Sequence, residues 1–169
     1  MPGLGLKQST PVRPCLDYRL LNDRLVSQPG HDAPTCEDTL RRWQRAEDPD
    51  ELCLLDISKA YMQVCVASEL LRFQTVLWQG RVYVMTRMGF GLNIAPKVMT
   101  AIVQWVLRGI PSTDSYIDDI KAKTSCKDAV SAKLLSYGLP PKPAEPFAAS
   151  RVLGLQLSKD ADNNVCWSR

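Results

Sequence analysis

The sequence predicts an α+β domain, an antiparallel sheet backed by helices, and three observations predict it. Apolar runs pair around turn residues at 70–78 with 81–85, within 115–123, and at 151–157 with 165–167. Stretches with helical features stand before and between them, at 37–45, 97–108 and 128–137. The third observation is bulk: 169 residues, 45% hydrophobic and 23% charged, form one domain with a substantial core and argue against global disorder.

Taken in order, residues 1–11 carry Pro and Gly without pattern and read as a loose lead-in. A short strand around 13–16 is expected to run into a turn or short helix by Asn22. Arg13, Arg19 and Arg24 concentrate positive charge there, either as a solvated face or as phosphate contacts. Residues 26–34 form a loop, with Pro29-Gly30 as its turn signal. The stretch 37–45 has acids early and bases late, which suits a helix dipole, and places Leu40 and Trp43 on one face.

Residues 52–56 are a continuous apolar run ended by Asp56, the pattern of a buried central strand whose last residue reaches a cleft. Residues 57–63 turn away from it. Strands at 70–78 and 81–85 flank the Gln79-Gly80 turn, and 87–93 is a glycine-bearing loop. Pro96 opens a helix over 97–108 whose Val98, Ala101, Ile102, Trp105 and Val106 form one apolar face. A hairpin over 115–123 follows, then a helix at 128–137 capped by Gly138. Residues 140–146 read as a proline-rich link, and 151–157 open a closing hairpin that turns at 160–164.

Composition narrows the function classes. A net charge of +3 permits a nucleic-acid partner without arguing for one. Six cysteines without a C-x-x-C pair, and one histidine, His31, argue against structural zinc. The cysteines read as reduced, mostly packing thiols of an intracellular protein, cytoplasmic or nuclear, with no secretion signal. No apolar run is long enough to cross a bilayer, so no membrane partner is expected.

The chemistry centres on Tyr116-Ile117-Asp118-Asp119, an acid pair at the tip of the 115–123 hairpin. Alone, such a pair is most often a solvated turn. Asp56 changes that reading, because the chain between it and the pair is long enough to lay the hairpin beside the first strand in one sheet. Three carboxylates converging unpaired would be costly, and two divalent cations resolve the conflict.

Four stretches in this order resemble reverse transcriptases of retroviruses and long-terminal-repeat retrotransposons. They are the fingers segment at 13–22, Leu55-Asp-Ile-Ser-Lys-Ala-Tyr61, Met88-Gly-Phe-Gly-Leu-Asn-Ile-Ala-Pro96, and Tyr116-Ile-Asp-Asp119. Val152-Leu-Gly-Leu-Gln-Leu157 is similar to the family's primer grip. The resemblance covers nearly the whole chain and implies a polymerase palm with partial fingers (together residues 12–157), no complete thumb, and 158–169 as the end of the closing hairpin. It implies an RNA-directed DNA polymerase of a retroelement polyprotein, which adds deoxynucleotides to a primer 3′-hydroxyl.

Residue by residue, the resemblance makes Asp56, Asp118 and Asp119 catalytic. Asp56 and Asp118 would bridge two Mg²⁺ ions (or Mn²⁺ in their place), with Asp119 as third acid and the Ile57 carbonyl as an additional ligand. Tyr61 matches the steric gate against a ribose 2′-hydroxyl. Arg13 matches the triphosphate-contacting arginine and Lys7 its lysine partner, while the Lys59 and Ala60 amides face the triphosphate. Phe90 and Gly91 match the lining of the nucleotide pocket, with Phe90 in the form many retrotransposons have. Leu153 and Gly154 match the primer-grip turn. The implied partners are an RNA or DNA template with primer, dNTPs, and the rest of a polyprotein.

The sequence departs from the family where Gly89 replaces a common proline, and where the stretch from Asp119 to Gly138 is shortened. Lys142 follows Gly138-Leu139 at a shifted spacing, where the family has a lysine that is a candidate general acid. Against the family pattern, the upstream fingers strands are expected to be largely missing from these 169 residues, and no thumb, connection or RNase H region is expected within them. The other reading is a retroelement remnant that binds nucleic acid or a protein without polymerising.

Overall fold

In chain order the helices are α1 (Arg19–Asn22), α2 (Cys36–Gln44), α3 (Ala60–Gln63), α4 (Ala95–Val106) and α5 (Lys127–Ser136). The strands are β1 (Leu52–Asp56), β2 (Thr75–Trp78), β3 (Arg81–Val84), β4 (Thr113–Tyr116), β5 (Asp119–Lys123), β6 (Glu145–Pro146), β7 (Arg151–Val152), β8 (Leu155–Lys159) and β9 (Val165–Ser168). The structure, a computed structural model, describes residues 16–26, 35–44, 48–159 and 165–168. Lys7, Arg13, Cys15 and His31 lie outside these, as do the 1–11 lead-in and the turns expected at Pro29-Gly30 and 160–164.

The central sheet is antiparallel, in the order β4-β5-β1-β6. Strand alternation explains why β1 is apolar throughout. Cys53 and Leu55, with Ile57 just beyond the strand, face a core built with Met99 and Val103 of α4, Ile120 and Ala122 of β5, and Val130 and Leu134 of α5. Leu52 and Leu54 face the other way, onto Trp43 of α2, Phe147 and Val152. A strand buried on both faces needs both sets. Truncating Leu55, which is fully buried, to Ala would cost about 2–5 kcal/mol. A third cluster joins Tyr18, Met88, Leu92 and Ala95, packing the segment before α1 onto the glycine-bearing loop.

Local chemistry sets the element ends. Thr35 and Asp38 bond reciprocally at the start of α2, with Asp38 N–H donating to Thr35 Oγ1 at 3.1 Å. Gly138, at φ +72°, ends α5: its N–H donates to Leu135 O, and Leu139 N–H reaches back to Leu134 O at 3.0 Å.

The structure corrects several expectations. The buried side of α4 is Ala95, Met99, Thr100, Val103 and Val106, while Ala101 and Trp105 are exposed and Val98 and Ile102 half-buried. Nearly every residue of this helix is apolar, so periodicity alone did not choose the face; the sheet did. Residues 68–73 form a 3₁₀ helix rather than the start of a strand, closed by Leu70 N–H to Ala67 O and Gln74 N–H to Leu71 O. The proline-rich link supplies edge strand β6, with Cys53 opposite Pro146. An edge suits proline, which has no N–H to donate. The 151–157 strand is broken at Leu153-Gly154 into β7 and β8, which with β9 make a separate three-stranded sheet. Of the described cysteines, all free, only Cys53 is buried. No helix among the described residues is long and apolar enough to cross a membrane.

Candidate active site

The β1–β5 ladder pairs Leu55 with Ile120 and ends with Asp56 opposite Asp119. Strand β4 pairs Tyr116 with the same Asp119, which leaves Ile117-Asp118 as a two-residue loop. The hairpin therefore carries Asp118 at its tip and Asp119 as the first residue of a strand. Ile117 sits at φ +58°, a conformation that disfavours a β-branched residue by about 1–2 kcal/mol. Its side chain packs against the first core, and Ile57 N–H donates to Asp118 O at 3.3 Å, which together hold the turn. The structure thus brings Asp56, Ile57, Asp118 and Asp119 to one end of the sheet.

The electrostatics follow from that convergence. Burial pushes the Asp119 carboxyl up to about 7, reinforced by the charges of Asp118 and Asp56 and opposed by Lys142. Asp118 is raised chiefly by burial, with the Asp56 charge adding to it and a backbone hydrogen bond and Lys142 opposing it. Lys142 is held twice over: its N–H donates to Asp56 O at 2.7 Å, and its Nζ lies 3.0 Å from Asp56 Oδ2. The shifted spacing of Lys142 in the sequence hid this contact. The bridge between Ile57 and Pro141 and the bond from Ser58 N–H to Pro140 O bring the proline-rich stretch alongside the acids.

Among the described residues, no three His, Cys, Asp or Glu side chains are grouped so as to hold a metal ion. The donor chemistry nonetheless fits a hard cation, being oxygen-only carboxylates. Burial first, and then the Asp118 and Asp56 charges, raise the proton affinity of Asp119. Lys142 supplies positive charge to Asp56 in the present arrangement.

The remaining expected residues fall into two groups. Lys59 is exposed and left-handed, at φ +51°, where the chain turns from β1 into α3, and Ala60 is buried as the first residue of that helix. Tyr61 meets Phe90 edge to face, with ring centroids 5.1 Å apart. Burial raises the Tyr61 hydroxyl, and the Asp118 charge adds to it, so the ring belongs to the acid neighbourhood. Gly91, at φ +99°, lies in the same loop as Phe90, and its carbonyl accepts from Asn22 Nδ2 at 2.8 Å. Asn22 Oδ1 also accepts from Asn93 N–H at 3.0 Å, a clamp between α1 and the glycine loop that sequence reading missed.

Leu153 and Gly154 stand apart from this group, in the β7–β8 turn, with φ of +51° and +83°. Leu153 packs with Tyr116 against the second core, so this hairpin is joined to the acid hairpin through that core. Arg19, one of the three early arginines, is taken up by Asp17 at 2.6 Å.

No protein-family model matches the chain, and no curated protein matches it either. Solved structures do. Foamy viral protease-reverse transcriptase in complex with RNA/DNA hybrid superposes at TM-score 0.72 and 22% identity, over 84% of this chain and 20% of that one. The complex of the same kind of protein with dsDNA gives 0.74 at 20% identity, over 92% and 33%. The native prototype foamy virus protein gives 0.63 at 23%, over 93% and 21%. The chain therefore spans a fifth to a third of the length of these structures, and its fold is reverse-transcriptase-like.

Proposed function

We propose that the chain is the palm and partial fingers of an RNA-directed DNA polymerase from a retroelement polyprotein. The observation that carries this reading is the Asp56–Asp119 register with Asp118 in the adjoining turn, set in a reverse-transcriptase-like fold. Asp56, Asp118 and the Ile57 carbonyl would hold two Mg²⁺ ions, with Asp119 as the third acid. Bound there, the ions supply activation of a primer 3′-hydroxyl and charge neutralisation on the leaving pyrophosphate.

The chain's own residues do the rest. The Tyr61 ring, braced by Phe90, excludes a ribose 2′-hydroxyl. The Lys59 and Ala60 amides and Arg13 bind the triphosphate, Phe90 and Gly91 line the nucleotide pocket, and the Leu153-Gly154 turn positions the primer. A template with primer is the natural partner of such a surface, and matched structures hold an RNA/DNA hybrid or dsDNA. The test is primer extension on an RNA template with Mg²⁺, comparing the chain with Asp118→Asn. Extension abolished by the substitution supports the reading.

A second reading, a binding module without polymerase activity, is favoured by the Lys142–Asp56 pair, which already places a positive charge on one of the acids. Template-primer binding without extension by the unsubstituted chain would select it.

A further inference from the structure

The chain leaving α3, the middle of α4 and the end of α5 surround an open cavity of about 560 Å³. Its floor is Val64, Ile102, Val106 and Leu139, the outer side of the first core. Two rings line it as well. Trp105 is 53% exposed and Tyr137 47% exposed, and they meet edge to face with centroids 5.0 Å apart and planes at 79°. None of these residues belongs to the acid cluster or to the expected nucleotide pocket. Small-molecule sites run from about 300 to 1,000 Å³ and are lined mostly by apolar and aromatic groups, with a few polar groups to orient the ligand.

The rim supplies those polar groups, and they are cationic. Cys65 and Arg87 form an isolated bridge, and Arg87 Nη1 donates to Gln63 O at 3.3 Å and to Cys65 Sγ at 2.6 Å. Gln63 and Cys65 both line the cavity. The Arg87 guanidinium makes no ion pair among the described residues, so its other N–H groups are left for an anion. Lys133 Nζ lies 5.6 Å over the Tyr137 ring. Residues 57–68, 86–113 and 129–144, the segments around the cavity, contain no Asp or Glu.

We infer that this cavity binds a single-chain amphipathic carboxylate, a fatty acid taken up as a monomer, with its tail against Trp105 and Tyr137 and its head on Arg87. Burial of the tail supplies the affinity, and the guanidinium selects the head group. A second copy of the chain fits this surface less well, because an isologous contact would set its cations against themselves.

The test is titration calorimetry with dodecanoate held below its micelle concentration. The full chain is used, without primer, nucleotide or metal, so failure of the polymerase reading leaves the result intact. Dodecanoate should bind at least roughly tenfold more tightly than dodecyltrimethylammonium, which has a similar tail and the opposite charge. Decanoate, two methylenes shorter, should bind roughly tenfold more weakly than dodecanoate. Arg87→Gln should remove the preference for the carboxylate. Ala101→Trp, which adds bulk at an exposed helix position lining the cavity, should abolish binding. Bound dodecanoate should also slow alkylation of Cys65 by N-ethylmaleimide, read by peptide mass mapping, and leave Cys36, an exposed free thiol on α2, unprotected.

Equal affinity for the two head groups overturns the inference, as does dodecanoate binding that survives Ala101→Trp or leaves Cys65 unprotected. Self-association in sedimentation that Ala101→Trp abolishes and dodecanoate does not disturb would overturn it too, and assign the cavity to a second copy of the chain. If Arg87→Gln fails to fold by circular dichroism, the head-group comparison and Ala101→Trp decide the question.

Discussion

Asp56 and Asp119 are direct cross-strand partners at the end of the β1–β5 ladder. Like charges placed opposite each other destabilise an antiparallel pair, and here Asp118 adds a third carboxyl from the adjoining turn. The pairing is held by the apolar partners behind it, Leu55 with Ile120 and Cys53 with Ala122. A fold that spends core packing to bring acids together stores a demand for positive charge at that point.

Burial of these carboxyls, with their mutual repulsion added, makes stability depend on pH. The Asp119 carboxyl titrates at about 7 in the folded chain against 3.8 for the free group. Between those values the folded state binds more protons than the unfolded state, so stability falls as pH rises through the window. Asp118 is shifted in the same direction and adds to the trend. Asp119→Asn should flatten the profile and raise stability above neutral pH by on the order of 2 kcal/mol. Urea midpoints near pH 5 and near pH 8 check this, and Mg²⁺ should raise the unsubstituted midpoint only at the higher pH.

Gly89 answers a different constraint. A Cβ at this position would lie 2.1 Å from Tyr18 Oη and 2.7 Å from two ring carbons. The glycine leaves room for the hydroxyl end of the buried Tyr18 ring, whose hydroxyl donates to Gln74 Oε1 at 3.3 Å. Gly89→Ala should destabilise the chain by about 1–3 kcal/mol through overpacking. Tyr18→Ala should make the same substitution nearly neutral, a non-additivity that a double-mutant cycle in urea measures.

What was legible in the sequence was whatever a short window carries. The apolar run into Asp56, the Asp118-Asp119 hairpin and the Gln79-Gly80 turn each follow from adjacent residues, and each is present. Chain length allowed the hairpin to lie beside the first strand, but the register that sets Asp56 against Asp119 comes from the fold, because no local pattern fixes which residues pair. The buried face of α4 was misread because a helix apolar on several sides is oriented by what it packs on. Lys142 was placed only by the fold: edge strand β6 and the Ile57–Pro141 bridge run the proline-rich stretch beside β1. Prolines there read as a linker, and their value as an edge is visible only beside a sheet.

Lys142 and a divalent cation would compete for the same carboxylate. Its ammonium lies 3.0 Å from Asp56 Oδ2, with both side chains partly open to solvent. Removing one positive charge beside an acid cluster strengthens attraction for another, by roughly 1 kcal/mol per unit charge at this separation in water. Lys142→Gln should therefore tighten Mg²⁺ binding by roughly tenfold in titration calorimetry. Weaker or unchanged binding would show that the lysine does not compete for the ion's position.

Tyr61 offers the sharpest check on the polymerase reading, because its effect is on selectivity rather than on rate alone. Its ring is fixed on one side by Phe90, at 5.1 Å, and by burial against the core that carries Ala60 and Ile57. On the polymerase reading, a ribose 2′-hydroxyl would meet this ring as a steric wall. Tyr61→Ala should raise ribonucleotide incorporation relative to deoxynucleotide by at least tenfold, on the order of 1.4 kcal/mol of lost discrimination. Phe90→Ala, which leaves the Tyr61 ring in place but removes its edge-to-face partner, should raise it less. Single-nucleotide extension with matched rNTP and dNTP measures both ratios. An active enzyme whose sugar preference is unmoved by Tyr61→Ala would remove this residue from the nucleotide pocket.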